Sequence, residues 1–422
     1  AAMSPATFMK DAVKDAMDFE KSMALVNTVL DATPQKLRAL NRNVLSFSAL
    51  RGIDLDKSAA ALYNIAQSLT GINTSGVDDL SASMRILDES QNLALTSNID
   101  LDVASNALVK TMAALRLSIG STNETAGLLW NTVNLGIISG KELAANIGDI
   151  TNTLAGMTNG MKEAQKLEFL KGSLSLWATI SQGISAPEAA TSVNTFFTAI
   201  SGKTPRAIAL MKELKNNFGV DFSLQSYLSK GPKQYFEDLA KGLNSEGELL
   251  KYLIGEKSQY ASITEEQAAK GQKLMQLLEG VFGNIRAVRG FLITNADNAK
   301  TFTDIFDKQS KSIESYSRAI SIMEDTSSRK VDKLKASWKV FQVYFGEQFL
   351  PDILGGAELV SKALNETITT PRFEEANPFE KLGMLGDAFY RWYSMWWMTG
   401  GKAKTVEFFG GAGNVAAPAL LS

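Results

Sequence analysis

An all-α fold follows from three observations. A helical period runs through nearly the whole chain, serine-glutamate capping boxes recur along it, and convincing period-2 alternation over a strand's length is missing. The expected architecture is a series of short helices, with a helical-hairpin repeat, followed by longer packed helices in an oligomer. At 422 residues the chain is long enough for more than one core, since single cores stop growing at roughly 250 to 300 residues.

The elements justify themselves in order. Leu37, Leu40, Val44 and Phe47 share one helix face, as do Leu101, Leu108, Met112, Leu115 and Ile119, and then Leu167, Leu170, Leu174 and Trp177. Helix starts are read at Ser121-x-x-Glu124, Ser139-x-x-Glu142, Ser185-x-x-Glu188, Ser245-x-x-Glu248 and Ser262-x-x-Glu265. In each, the serine oxygen takes an orphan backbone N–H and the acid reaches back to the cap. Pro34 and Pro205 each follow a threonine, and Pro187 stands near the front of its helix, where a missing N–H costs nothing. Gly52, Gly71, Gly120, Gly140, Gly183 and Gly202 fall between apolar blocks and mark turns.

A weak internal repeat joins these blocks. Ile53-Asp54-Leu55-Asp56 before an alanine-rich helix returns as Ile99-Asp100-Leu101-Asp102, and the segments beginning at Ser139 and Ser185 hold related positions. A period of about 40 residues is what stacked two-helix units produce. Chance similarity among alanine-rich helices is the rival reading.

Four regions differ in composition. Residues 1–220 are rich in alanine and other small residues, which favours close helix approach. Residues 221–263 are a polar connector containing Gly231-Pro232, and residues 264–370 carry longer helices. Residues 371–422 are aromatic and then glycine-rich. In the third region Leu274, Leu277, Val281, Ile285, Val288 and Leu292 keep one stripe across Gly280 and Gly283. The bulkiest stripe follows: Val331, Leu334, Trp338, Phe341 and Phe345, bracketed at its end by Gly346 and Pro351. It reads as a core face to be covered by the rest of the chain or by another subunit. Trp392, Trp396 and Trp397 belong to a helix-like segment that is apolar on every side. Burial against a partner, a membrane-active segment and ordinary core all remain open there.

The chemistry is more easily excluded than found. Histidine and cysteine are both absent, which removes disulfides, thiolate nucleophiles and histidine acid–base work. The Asp-Leu-Asp segments lack the further ligands of a calcium loop and read as helix caps. Gly410-Gly411-Ala412-Gly413 precedes no Lys-Ser/Thr pair, so no phosphate cradle is expected. With 43 basic and 45 acidic residues, nothing demands a nucleic acid partner. No enzymatic activity and no cofactor are expected. The opening Ala1-Ala2-Met3-Ser4 does not read as a signal peptide; an alanine start suggests a processed or truncated product.

The order of several passages is similar to phage tail tape-measure proteins, in their TP901-like core region. They are Asp18-Phe19-Glu20-Lys21-Ser22-Met23, then Gly183 to Ala190, then Pro205-Arg206-Ala207 with Phe218-Gly219-Val220. Arg289-Gly290-Phe291 follows, and last comes Lys333-Leu334-Lys335-Ala336-Ser337-Trp338, running to Gly346-Glu347 and Leu350-Pro351. The resemblance covers roughly residues 15–365; family members are often longer.

It implies a structural scaffold inside the tail tube that sets tail length and is released on genome ejection. The implied partners are further copies of the chain (a trimer), the tail tube protein and a baseplate hub or distal tail protein, with host membrane and phage DNA met during ejection. The implied location is the lumen or tip of the virion tail, preceded by host cytoplasm during assembly and followed by the host envelope on infection. Two alternatives stand beside it: a soluble helical adaptor or repeat module, and a membrane-perturbing helical protein.

Overall fold

The computed structural model describes residues 5–202, 204–244, 264–283 and 298–368. Among these the chain is all-α: helices, two single 3-10 turns at Leu69–Gly71 and Ile119–Ser121, and no sheet. The helices are α1 (Pro5–Leu30), α2 (Pro34–Arg51), α3 (Leu55–Ser68), α4 (Asp79–Ser97), α5 (Leu101–Leu115), α6 (Thr122–Asn134), α7 (Gly140–Thr158) and α8 (Glu163–Ile180). They continue with α9 (Ala186–Ile200), α10 (Pro205–Phe218), α11 (Leu224–Asn244), α12 (Glu265–Phe282), α13 (Asn298–Ser310), α14 (Ser312–Glu324) and α15 (Ser327–Ile368). Packing divides the chain into two compact units: Lys21–Trp338, and a smaller one in which Ala1–Glu20 joins the chain from Lys339 onward. The composition boundaries at 220, 263 and 370 remain a proposal about organisation.

Within Lys21–Trp338 the helices form rows. The odd helices α3, α5, α7 and α9 pack in series, each on the next, and the even helices α2, α4, α6 and α8 do the same beside them. Each odd helix also contacts an even neighbour, so the unit is a two-row array of helical hairpins. The chain then returns: α14 lies on α4 and α6, and α13 on α6 and α8.

The array is set by its turns. Gly52 and Asn98 close α2 and α4 in the left-handed conformation, and the following Ile53 and Ile99 amides donate to Ser48 and Ala94 carbonyls at 3.0 and 3.1 Å. That double closure satisfies orphan carbonyls and aims the chain back along the array. Asp54 then caps α3, accepting from the Asp56 amide at 3.0 Å. The same Ile-Asp/Ser step opens α5, α7 and α9 at Ile99-Asp100, Ile138-Ser139 and Ile184-Ser185. At Gly140 a side chain would collide with the Ile99 methyl, so only glycine lets α7 close on the turn before α5.

Capping follows the serine pattern in part. Ser139 and Glu142 form the full reciprocal box. Ser185 and Glu188 bond each other at 2.9 Å instead, leaving the backbone cap unmade. Ser121 does not cap α6; its hydroxyl donates to Glu163, which also takes the Ser118 amide and hydroxyl at 3.0 and 2.6 Å and so ties the α5–α6 turn to α8. Thr33 and Thr204 accept from Lys36 and Ala207 amides, with Pro34 and Pro205 opening their helices. Ser245, Glu248 and Ser262 lie outside the described residues.

The far end of the array closes on an aromatic core. Phe169 of α8 meets Tyr227 of α11 at 4.6 Å, Phe196 of α9 meets Phe282 of α12 at 6.1 Å, and Phe236 of α11 meets Phe302 of α13 at 4.4 Å. Leu224–Asn244 is thus helix, kinked where Gly231 leaves helical geometry ahead of Pro232. Of the stripe read across Gly280 and Gly283, Leu274, Leu277 and Val281 are buried on α12, and Gly283 takes a left-handed conformation after it. Ile285, Val288 and Leu292 are outside the described residues.

In the smaller unit the front of α1 packs on α15. Ala12, Ala16 and Phe19 are buried with Val340 and Val343, Phe8 stands edge-on to Phe345 at 5.1 Å, and Lys339 pairs with Asp15 at 3.2 Å. Gly346 does not stop α15. Its missing side chain admits the Ala12 carbonyl and the Ala16 methyl, and the helix runs on through Gly346 and Pro351 to Ile368.

Candidate interaction surface

α15 is the element on which the sequence places its bulkiest residues, and its start is well defined. The Thr326 hydroxyl accepts from the Arg329 amide at 3.4 Å, capping the first turn. From there two faces compete for burial. Arg329, Ala336, Val340 and Val343 point inward and are buried. Val331, Leu334, Trp338 and Phe341 point outward; Leu334 is 71% and Trp338 52% exposed. Phe345 is half-buried, with its ring near Phe8 and Phe341.

Of the two covers read for this stripe, the rest of the chain leaves Val331, Leu334, Trp338 and Phe341 about half exposed or more, and cover by another subunit stays a proposal. The physical reason is closeness of approach. Small residues let the helix backbone settle against α1 and the turn at Gly52, whereas tryptophan and phenylalanine hold it away. The spacing Ala336, Val340, Val343, Gly346 was the signal that identifies the inner face. Trp392, Trp396 and Trp397 lie outside the described residues.

Beneath the first turns of α15 is a charge cluster that the sequence did not reveal. The Glu324 carboxylate receives Lys333 Nζ at 2.5 Å, Arg51 at 3.4 Å and Arg329 at 3.5 Å, while Arg51 also pairs with Asp88 at 2.5 Å. The Arg329 guanidinium donates to the Arg51 carbonyl. Burial pushes the Glu324 carboxyl upward, but the Lys333 hydrogen bond and the Arg329, Lys333 and Arg51 charges outweigh it and hold it below the ordinary 4.5. Gly52 supplies the seat: a side chain there would stand 2.7 Å from the Lys333 amide nitrogen. No local motif announces this site, because its members are brought together from α2, α4, α14 and α15.

The repeat turns line a groove of about 940 Å³, with Asp54, Asp100 and Glu142 beside Lys57 and Lys141. Lys57 stands 3.8 Å from Asp100, and Asp54 is occupied with its own helix start. Among the described residues no group of three or more histidine, cysteine, aspartate or glutamate side chains is placed to hold a metal ion. Nor is any described helix long and apolar enough to cross a membrane.

Set beside known proteins, residues 41–319 match the family described as "Phage-related minor tail protein". The chain belongs to that family. The matched stretch runs from α2 through the hairpin array to α14, so membership rests on the array itself. A relative, the "Probable tape measure protein" of Clostridium phage phiCD119, is 24% identical over 355 residues. That alignment takes in 84% of this chain and 34% of the relative, so the chain spans about a third of the curated relative's length. No solved structure matches. As a member of this family the chain is a phage tail-associated structural protein, all-α in its described residues, and its setting is the virion tail.

Proposed function

We propose that the chain is a segment of a tape-measure protein of the TP901-like kind, a scaffold inside the tail tube that sets tail length and leaves during genome ejection. The observation that carries this reading is the serial array of helical hairpins, in which each unit contacts mainly its neighbours. Such a quasi-one-dimensional body suits an elongated scaffold. The likeness to a protein described as a tape measure supports the same reading.

On this reading the outward face of α15 is where copies of the chain, three in the tail, or the tail tube protein meet it. Val331, Leu334, Trp338, Phe341 and Phe345 are the contact residues, and Trp392, Trp396 and Trp397 contribute a second contact, to a hub protein or to host membrane. The charge and cysteine content fit release: no disulfide can form to resist unfolding. No catalytic step is assigned, and phage DNA is met only as the molecule that follows the chain out.

Cross-linking mass spectrometry on purified tails tests this proposal. The expected result is links from residues 331–345 to the same residues of other copies or to the tube protein. Absence of the chain from purified tails, or links confined to non-tail proteins, would overturn it.

A further inference from the structure

The first turns of α15 are attached the wrong way round for an amphipathic helix. Within residues 327–338 only Arg329 and Ala336 are buried, while Val331, Leu334 and Trp338 face outward. The segment's largest apolar side chains therefore keep about half or more of their surface exposed. Its ties to the array at the first turns are polar. Arg329 is bonded to the Arg51 carbonyl, and Glu324 joins Lys333, Arg51 and Arg329 in one cluster. The backbone at Lys333 rests on the bare α-carbon of Gly52.

We infer that residues 327–338 form a strap held to the hairpin array by charge, with Glu324 as the latch, and that loss of this carboxylate frees the strap as one piece while the array stays folded. Three cations (Arg51, Arg329 and Lys333) face two carboxylates, Glu324 and Asp88, and only Glu324 touches all three cations. Removing it leaves the Arg329 guanidinium, whose side chain is 8% exposed, with no carboxylate beside it in the cluster. A partly desolvated cation left without its counter-charge drives the segment outward to water. The array has no such dependence, because its helices are held by buried leucine, isoleucine and alanine. The two regions therefore open with separate free energies, as cooperative sub-units of one fold do. Opening also releases the strap's inward face while its apolar face is already presented, so the latch controls how α15 meets a neighbour.

Hydrogen exchange read by mass spectrometry on the full chain tests the latch. In Glu324→Gln, amides of 327–338 are expected to exchange at least about tenfold faster, with those of α5 and α8 unchanged. Raising sodium chloride to about 1 M should speed strap exchange in the wild-type chain and leave Glu324→Gln unaffected. Lys330→Met, which removes only the exposed pair with Asp325, should resemble wild type. Unchanged strap exchange in Glu324→Gln, equal acceleration of strap and array, or a salt-insensitive wild-type strap would each overturn the inference.

Discussion

Single side chains in this protein divide sharply by where they stand, and their substitution costs should divide with them. Leu108 is fully buried, and Leu108→Ala should cost about 2–5 kcal/mol, read from denaturant unfolding of the full chain. Trp338 is larger but half-exposed, so Trp338→Ala should cost less than about 1 kcal/mol in the isolated chain. A Trp338 loss matching that of Leu108 would contradict its outward placement. Tyr235 offers the opposite test. Its hydroxyl is buried with no hydrogen-bond partner found, and burial pushes its ionisation well above the usual range. Tyr235→Phe should be neutral or stabilising by up to about 1 kcal/mol, and a loss above that would reveal an unseen partner. Gly52 should be hard to replace, since alanine there meets both a left-handed backbone and the Lys333 amide. Gly76 has a similar positive φ with open space around it; its alanine variant should unfold at a clearly higher denaturant concentration than Gly52→Ala.

At the scale of helices, starts were far more legible than faces. Ser139-x-x-Glu142, Thr33-Pro34 and Thr204-Pro205 act locally, through bonds to amides within three residues, so the sequence displays them directly. Ser121 failed as a cap because Glu163, far along the chain, competes for its hydroxyl. Such competition is invisible to any window of neighbouring residues. On α15, bulk and spacing identify an apolar face, while small residues on the other face decide which one packs within the chain. Gly346 likewise reads as a stop and serves as a contact. The Glu324 cluster has a pH signature at this scale. Its folded-state pKa is depressed below 4.5, so its stabilisation of the α15 start is complete above that value and lost as pH falls through the depressed one. Strap exchange in wild type should therefore approach that of Glu324→Gln on acidification below pH 4.5, and a difference that persists or widens there would contradict the sign.

Across the whole chain, the repeat supplied the architecture. Ile53-Asp54, Ile99-Asp100, Ile138-Ser139 and Ile184-Ser185 recur because each ends one hairpin and opens the next helix of the odd row. What the sequence withheld was the return of α13 and α14 onto the even row, since Gln309 bonding Thr132 and Tyr316 bonding the Glu89 carbonyl link residues far apart in the chain. These long-range ties fasten the return helices to the even row, and the proposal places that array inside the tail. Electron cryomicroscopy of intact tails puts that claim to its most direct test. Density for the two helix rows lying along the tube axis is the predicted result; an axis without them, with the array found only outside the tail, would contradict the account.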